Sequence, residues 1–272
     1  MNRARLRQIK LFAEISSSPS DLAKLVLLGF ARGHPFGSDD VIARLGRLFG
    51  QSIVIRPRNL RGLRAVINPR DLGHLISLEE VLVDCCYDLA LVPFQPEVIY
   101  DCGAHIGLFS LLAASRYPEA QIVAIEPDPT NIEFIKAQAG INSVSIIIED
   151  AAVSLHDGEG WFKSECSNSG SLQIANERNA NGSVRVRTVK LHSLIRGSAL
   201  NGLLLKLDIE GEELNILPEL IPVLPIQCAI FFEVHGGQVT WDEFSSRLKT
   251  AGFQVRQTRA RYPFADGVAI RN

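Results

Sequence analysis

Six side chains with chemical potential stand where apolar runs end. Asp101 follows Val98-Ile99-Tyr100, Glu126 follows Ile122 to Ile125, and Asp208 follows Leu203 to Leu207. Asp150 closes the run that begins at Val144, and Glu233 with His235 ends the run Ala229 to Phe232. Several acids in one crevice repel one another and lose solvation, so they suit a cationic ligand. Between the first two acids lies Gly103-Ala104-His105-Ile106-Gly107, a turn whose glycines let backbone approach a ligand closely. Glu126 falls 19 residues after Gly107, near the ~20-residue offset at which a carboxylate meets ribose hydroxyls.

The glycine spacing narrows the ligand. Dinucleotide enzymes use Gly-x-Gly-x-x-Gly so that a helix N-terminus cradles a pyrophosphate. Here Asp101-x-Gly103-x-x-x-Gly107 puts a carboxylate ahead of the first glycine and leaves no Gly triplet. That arrangement fits a cationic end better than a phosphate. S-adenosylmethionine, with an amino group, a sulfonium and a ribose, meets the requirement.

Acids at strand ends need a sheet to gather them. The chain alternates strands expected at 98–101, 121–125, 144–149, 203–208 and 229–233 with helices at 106–115, 129–139, 211–224 and 240–251. Such alternation predicts an α/β fold: a doubly wound, mostly parallel, Rossmann-like sheet. Two last strands, near 253–258 and 264–270, make it seven-stranded with an antiparallel edge. An interruption separates the halves. Trp161-Phe162 reads as a short strand and Ser164 to Ser183 as a surface loop, a candidate lid.

Upstream, Ser18-Pro19-Ser20-Asp21 reads as a helix start, and a second helix is expected over 39–49. Gln51 to Ile55 and Leu63 to Ile67 form a basic hairpin around Pro57–Gly62, and residues 71–92 look helical. The division is therefore a basic N-terminal helical and hairpin lobe, 1–70, and a cofactor-binding domain, 71–272.

Composition sets the outer limits. A length of 272 residues with 46% hydrophobic and 21% charged residues describes a globular chain with ample core. No apolar run approaches the ~20 residues that span a bilayer. Five cysteines without CxxC pairs argue against a disulfide frame or zinc site, and the expected location is cytoplasmic. Residues 1–70 carry 13 Lys and Arg against 4 acids, while the remainder is acidic. A basic lobe suggests an anionic partner, or docking on the chain's own acidic body. No aromatic interleaving supports nucleic-acid stacking, and homodimerisation is left open.

The ordered blocks over residues 75–235 resemble the FkbM-type class I methyltransferases. They are Val98 to Gly107; Ile125-Glu126-Pro127; Ala151 to Ser154; Asn168 to Leu172; Val186 to Leu191; Leu205-Lys206-Leu207-Asp208-Ile209-Glu210-Gly211-Glu212-Glu213; and Glu233-Val234-His235. The resemblance implies S-adenosyl-L-methionine as cofactor. It places Asp101, Gly103 and Gly107 at the methionine end, Glu126 on the ribose, and Asp150-Ala151 at the adenine edge. His105 stands where the family usually has Asn, and is expected still to serve the cofactor; His192 stands where Asp is usual.

Methyl transfer to a hydroxyl needs alignment and removal of a proton. Asp208 is expected to face the methyl, Glu210 lies two residues on, and His235 is the preferred base, with Gly236-Gly237 leaving room for substrate. Glu213 reads as a first-turn acid. No metal is assigned, although Asp208, Glu210, Glu233 and His235 offer an alternative divalent-ion set. The expected function is O-methylation of a glycan, glycolipid or natural-product hydroxyl, with a small-molecule or glycan acceptor as partner. The rivals are an N-methyltransferase, a non-catalytic cofactor-binding or scaffold protein, and an NAD-dependent dehydrogenase.

Overall fold

The computed structural model describes residues 52–165, 169–173, 183–196, 201–261 and 264–272, with Ala13, residues 16–21, Ala23 and Lys24 in addition. The helix expected over 39–49 lies outside the described residues. The start expected at Ser18 is present: its Oγ accepts the Asp21 N–H at 3.1 Å and donates to Asp21 Oδ2 at 2.7 Å. That exchange is a helix N-terminal cap.

Strands β1 (Ile53–Ile55) and β2 (Ala65–Ile67) pair antiparallel, with Val54 opposite Val66. Ile53, Ile55, Leu60 and Ile67 share one core with Leu75, Leu82, Ile106 and Leu111. The hairpin thus packs against the glycine turn, and the division drawn at residue 70 falls inside a continuous core. Two side-chain amides complete the free edge of β2. Gln138 accepts the Val66 N–H at 2.8 Å and donates to its carbonyl at 2.9 Å. Asn142 does the same for Arg64, at 2.7 Å in each direction. Gln138→Leu should therefore lower unfolding free energy by about 2–3 kcal/mol in urea titration, since a buried N–H and carbonyl lose their partners.

Residues 71–92 do not form one helix. Asp71 caps α1 (Leu72–Leu78), accepting the Gly73 N–H at 2.8 Å, and a wider π-type turn continues over Glu79–Val83. The run ends at Cys85, whose φ is 52°, and Asp88 then caps a single turn at Leu89–Leu91. The aspartate side chains offer the backbone a competing partner, which helical periodicity does not register.

The central sheet contains β3 (Val98–Cys102), β4 (Gln121–Glu126), β5 (Ile147–Asp150), β10 (Leu203–Leu207), β11 (Cys228–His235), β12 (Gln254–Arg261) and β13 (Phe264–Arg271). Their order is β5-β4-β3-β10-β11-β13-β12. All adjacent pairs are parallel except those made by β13. The antiparallel strand sits one place in from the edge, because β12 and β13 form a hairpin whose second strand joins β11. Helices α2 (Leu108–Arg116) and α3 (Pro129–Asn142) cover one face, and α4 (Leu191–Arg196), α5 (Glu213–Leu220) and α6 (Gln238–Thr250) the other. Alternation along β10 shows why. Leu203, Leu205 and Leu207 pack with α5 and α6, while Leu204 packs with Phe109 of α2.

A second, four-stranded sheet fills the interruption: β6 (Ala152–Val153), β9 (Val184–Val189), β7 (Gly158–Glu165) and β8 (Ser169–Gln173), in that order. The expected loop from Ser164 is thus partly a β-hairpin, with Phe162 opposite Leu172. Residues 174–182 lie outside the described residues. Among the described residues no helix is long and apolar enough to cross a membrane.

Candidate active site

The chain leaves β3 to build one half of the sheet and returns through β10 to build the other, which opens a crevice at their carboxyl ends. Asp101 and Lys206 are register partners on these two strands. Lys206 Nζ lies 3.4 Å from Asp101 Oδ1 and 3.6 Å from Asp208 Oδ2, and donates to the Gly103 carbonyl at 2.7 Å. Burial opposes the ammonium, yet the Asp101 and Asp208 carboxylates hold it above the usual lysine range. Asp101 Oδ2 accepts both the N–H and the hydroxyl of Ser110, at 3.0 and 2.7 Å. Asp101 is fully buried, so it supports the crevice floor through Lys206 and α2.

Both turn glycines have φ near the left-handed region, +73° at Gly103 and +78° at Gly107. Their close approaches are to the protein itself. A Cβ on Gly103 would lie 1.9 Å from the Asp208 carbonyl oxygen, and one on Gly107 3.1 Å from Ile135 Cγ1. The glycines therefore let β10 and α3 close against the turn.

Glu126, at the end of β4, accepts three hydrogen bonds. Oε2 takes the His105 N–H at 2.7 Å; Oε1 takes the Asp128 N–H at 3.0 Å and the Asn131 amide at 3.2 Å. Burial nevertheless pushes its carboxyl up to about 7. His105, at φ 50°, bonds Ser77 Oγ through Nδ1 at 2.8 Å. Burial, with the nearby His74 and Lys206, pulls its imidazole down to about 3, so it is neutral. Asp150 is exposed beside Glu126, its register partner on β5, and Ala151 behind it is buried.

The other end of the crevice is built from loops after β10 and β11. Tyr87 donates to Asp208 Oδ2 at 3.4 Å from a ring packed edge-on to Phe109 and Phe231. Glu213 does more than oppose a helix dipole. Nearly fully buried, it accepts the Ile209 N–H at 2.9 Å and the Gly211 N–H at 3.1 Å, bracing the turn in which Glu210 takes φ 59°.

His235 sits among acids: Nε2 is 3.2 Å from Glu210 and 3.7 Å from Glu233, and Nδ1 is 3.2 Å from Glu213. Burial disfavours the charged ring, but the Glu210 and Glu213 carboxylates beside it outweigh burial and raise the imidazole to about 11. These carboxylates favour the imidazolium over the neutral ring that a base at this position would need. A Cβ on Gly236 would meet Thr240 Oγ1 at 2.5 Å, so glycine there lets the start of α6 lie close against this loop. Asp208, Glu233 and His235 present ligand atoms within 4.8 Å of one another, a grouping that could hold a metal ion.

His192 pairs with Glu219 at 3.0 Å, on the face of the sheet opposite α2. The residues that sequence reasoning missed are Ser77 and Tyr87, and Arg259, which joins Asp266 at 2.7 Å, Asp84 at 3.1 Å and Glu80 at 3.5 Å. All but Arg259 and Asp266 come from the segment before β3, where no motif marks them.

The strand order, with one antiparallel strand next to the edge, together with the strand–glycine-turn–helix and its following acid, defines a Rossmann-like class I methyltransferase fold. Within that class, residues 101–255 match the methyltransferase FkbM domain, and the chain belongs to that family. Methyltransferase sdnD of Sordaria araneosa is 30% identical over 172 residues, covering 51% of this chain and 66% of that protein. Hexuronic acid methyltransferase AglP of Haloferax volcanii is 24% identical over 184 residues, covering 67% and 66%. The crystal structure of methyltransferase FkbM from Methylobacillus flagellatus aligns with a TM-score of 0.45 at 12% identity, covering 98% of this chain and 59% of that one. The chain spans about two thirds, or less, of the length of the curated relatives it matches.

Proposed function

We propose that the chain is an S-adenosylmethionine-dependent O-methyltransferase acting on a hydroxyl of a glycan, glycolipid or natural product. The observation that carries this reading is the charge of the crevice. Its lysine, Lys206, is already engaged by Asp101, Asp208 and the Gly103 carbonyl, so it is not presented to a phosphate. A ligand with a ribose and a cationic end fits this frame; a pyrophosphate does not. Two of the relatives support the acceptor class by their names: the hexuronic acid methyltransferase, and the 31-O-demethyl-FK506 methyltransferase FkbM of Streptomyces tacrolimicus, 34% identical over 76 residues, covering 28% of this chain and 29% of that protein.

Glu126 would hold the ribose hydroxyls, the 103–107 turn the methionine end, and Asp150 with Ala151 the adenine edge. S-adenosylmethionine, when bound, supplies a methyl group on a good leaving group. Asp208 is anchored through Oδ2 by Tyr87 and Lys206, which leaves Oδ1 to accept the acceptor's hydroxyl proton. A carboxylate is base enough, because the hydroxyl grows strongly acidic as its oxygen bonds to carbon. Glu210, fixed by His235, is placed to orient the acceptor, and the imidazolium fixes the loops. Asp208, Glu210, Glu213 and Glu233 outnumber Lys206 and His235, so an uncharged hydroxyl suits this end better than the anionic acceptor suggested by the basic lobe. The same excess favours a second reading, methylation of an amine.

Calorimetry with S-adenosylmethionine tests the cofactor. Glu126 must be ionised to accept a ribose hydroxyl beside the three donors it already holds, so affinity is lost as pH falls through about 7. Binding should weaken about tenfold between pH 8 and pH 6, and Glu126→Gln should bind weakly with no such slope. Thermal stabilisation by NAD and none by S-adenosylmethionine would sink the reading. Transfer of labelled methyl to acceptor extracts, with the product tested for an ether or an amine, separates the two acceptor classes.

A further inference from the structure

The family match begins at Asp101, yet the turn that follows is held from outside that span. His105 carries a left-handed φ of 50°, where non-glycine residues are uncommon. Its backbone N–H must keep that geometry to reach Glu126 Oε2 at 2.7 Å. The side chain supplies the restraint: Nδ1 meets Ser77 Oγ of α1 at 2.8 Å, and the ring stands edge-on to His74 at 5.4 Å between centroids. His74 is itself fixed. Its Nδ1 accepts the Asn68 N–H at 3.0 Å, and its ring lies edge-on to Phe134 of α3 at 4.4 Å. Ser77 and His74 are both buried, so these contacts do not compete with solvent.

We propose that Ser77 and His105 form a latch that holds Glu126 in the position that grips the cofactor's ribose, making Ser77 a positioning residue for cofactor binding. The proposal rests on the reading of Glu126 as the ribose carboxylate. Ser77 acts by fixing the His105 ring, and through it the left-handed backbone that aims the N–H. Asparagine, whose short side chain can hydrogen-bond locally, visits the left-handed region more routinely than histidine, so a His105→Asn turn needs Ser77 less. The groups that set the charge around Glu126 are Asp128 and Asn131 at the start of α3, and the neutral His105 on the turn. His74 and Lys206 lie beyond His105.

The test titrates S-adenosylhomocysteine into the full chain by calorimetry from pH 6 to 8.5. Ser77→Ala should weaken binding about fivefold, the equivalent of one lost hydrogen bond. It should also move the midpoint of the pH dependence upward by about half a unit, as Glu126 loses its aligned donor. In a His105→Asn background, Ser77→Ala should change affinity by less than about twofold. That comparison also serves if Ser77→Ala alone folds poorly, since the Asn turn no longer relies on the hydroxyl. Wild-type binding that Ser77→Ala leaves unchanged in both affinity and midpoint would overturn the latch alone. Absence of binding by the wild-type chain would overturn the cofactor reading, and the latch with it.

Discussion

Lys206→Met should lower the unfolding free energy by about 3–5 kcal/mol, the cost of leaving one partner of a buried ion pair uncompensated. Methionine matches the stem of lysine but carries no charge. Asp101, fully buried, would keep its bonds from Ser110 and lose the cation facing Oδ1. Asp208 would lose the same cation from Oδ2, and the Cys102 and Gly103 carbonyls their shared donor. Adding Asp101→Asn should restore much of the stability at pH 7, since an uncharged amide needs no cation. Urea titrations of the two single variants and the double variant at pH 7 read this directly. A Lys206→Met chain within about 1 kcal/mol of wild type would mean that the pair adds little.

The charge cluster shows what a linear sequence conveys. Asp101, Glu126 and Asp208 were legible because each ends an apolar run, and parallel strands deliver such residues to one edge. The βαβ alternation was legible for the same reason, and element ends shifted only by a few residues. The pairing of Lys206 with Asp101 is consistent with alternation along β10, which sends its side chain opposite to Leu205 and Leu207. Tyr87 and Ser77 were not legible, because they reach the site from a segment whose helical pattern breaks at Cys85. Nor was the work of Gly103, where a Cβ would run into the Asp208 carbonyl just after β10, far along the chain. The hairpin after Ser164 escaped for a different reason: Ser, Gly and Asn suit turns locally, and the edge of β7 supplies β8 with the backbone partners that its composition does not advertise.

His235 is the position where residue type pointed one way and surroundings another. A histidine after a strand, followed by glycines, has the type and place of a base, but its protonation depends on Glu210 and Glu213 folding back toward Glu233. His235→Gln should cost about 3–5 kcal/mol at pH 7, because the remaining acids keep their burial and lose their cation. The sign with pH follows from the raised value. The folded imidazole titrates at about 11 against an ordinary 6.5, so its contribution is complete below pH 6.5 and is lost as pH rises through 11. Wild-type stability should fall by up to about 1.4 kcal/mol per pH unit above pH 6.5 relative to the variant, and the two should converge in strong alkali. Turnover gives the complementary signature. A base at position 235 would produce an imidazole inflection between pH 6 and 8, with full loss of activity in His235→Gln. An imidazolium that braces Glu210 and Glu213 would produce no such inflection, and the variant would keep a residual rate limited by the looser loop. Guanidinium melts from pH 6 to 10, read beside the pH–rate curve, separate the two roles, and an inflection near 6.5 that vanishes in the variant would return His235 to the place of the base.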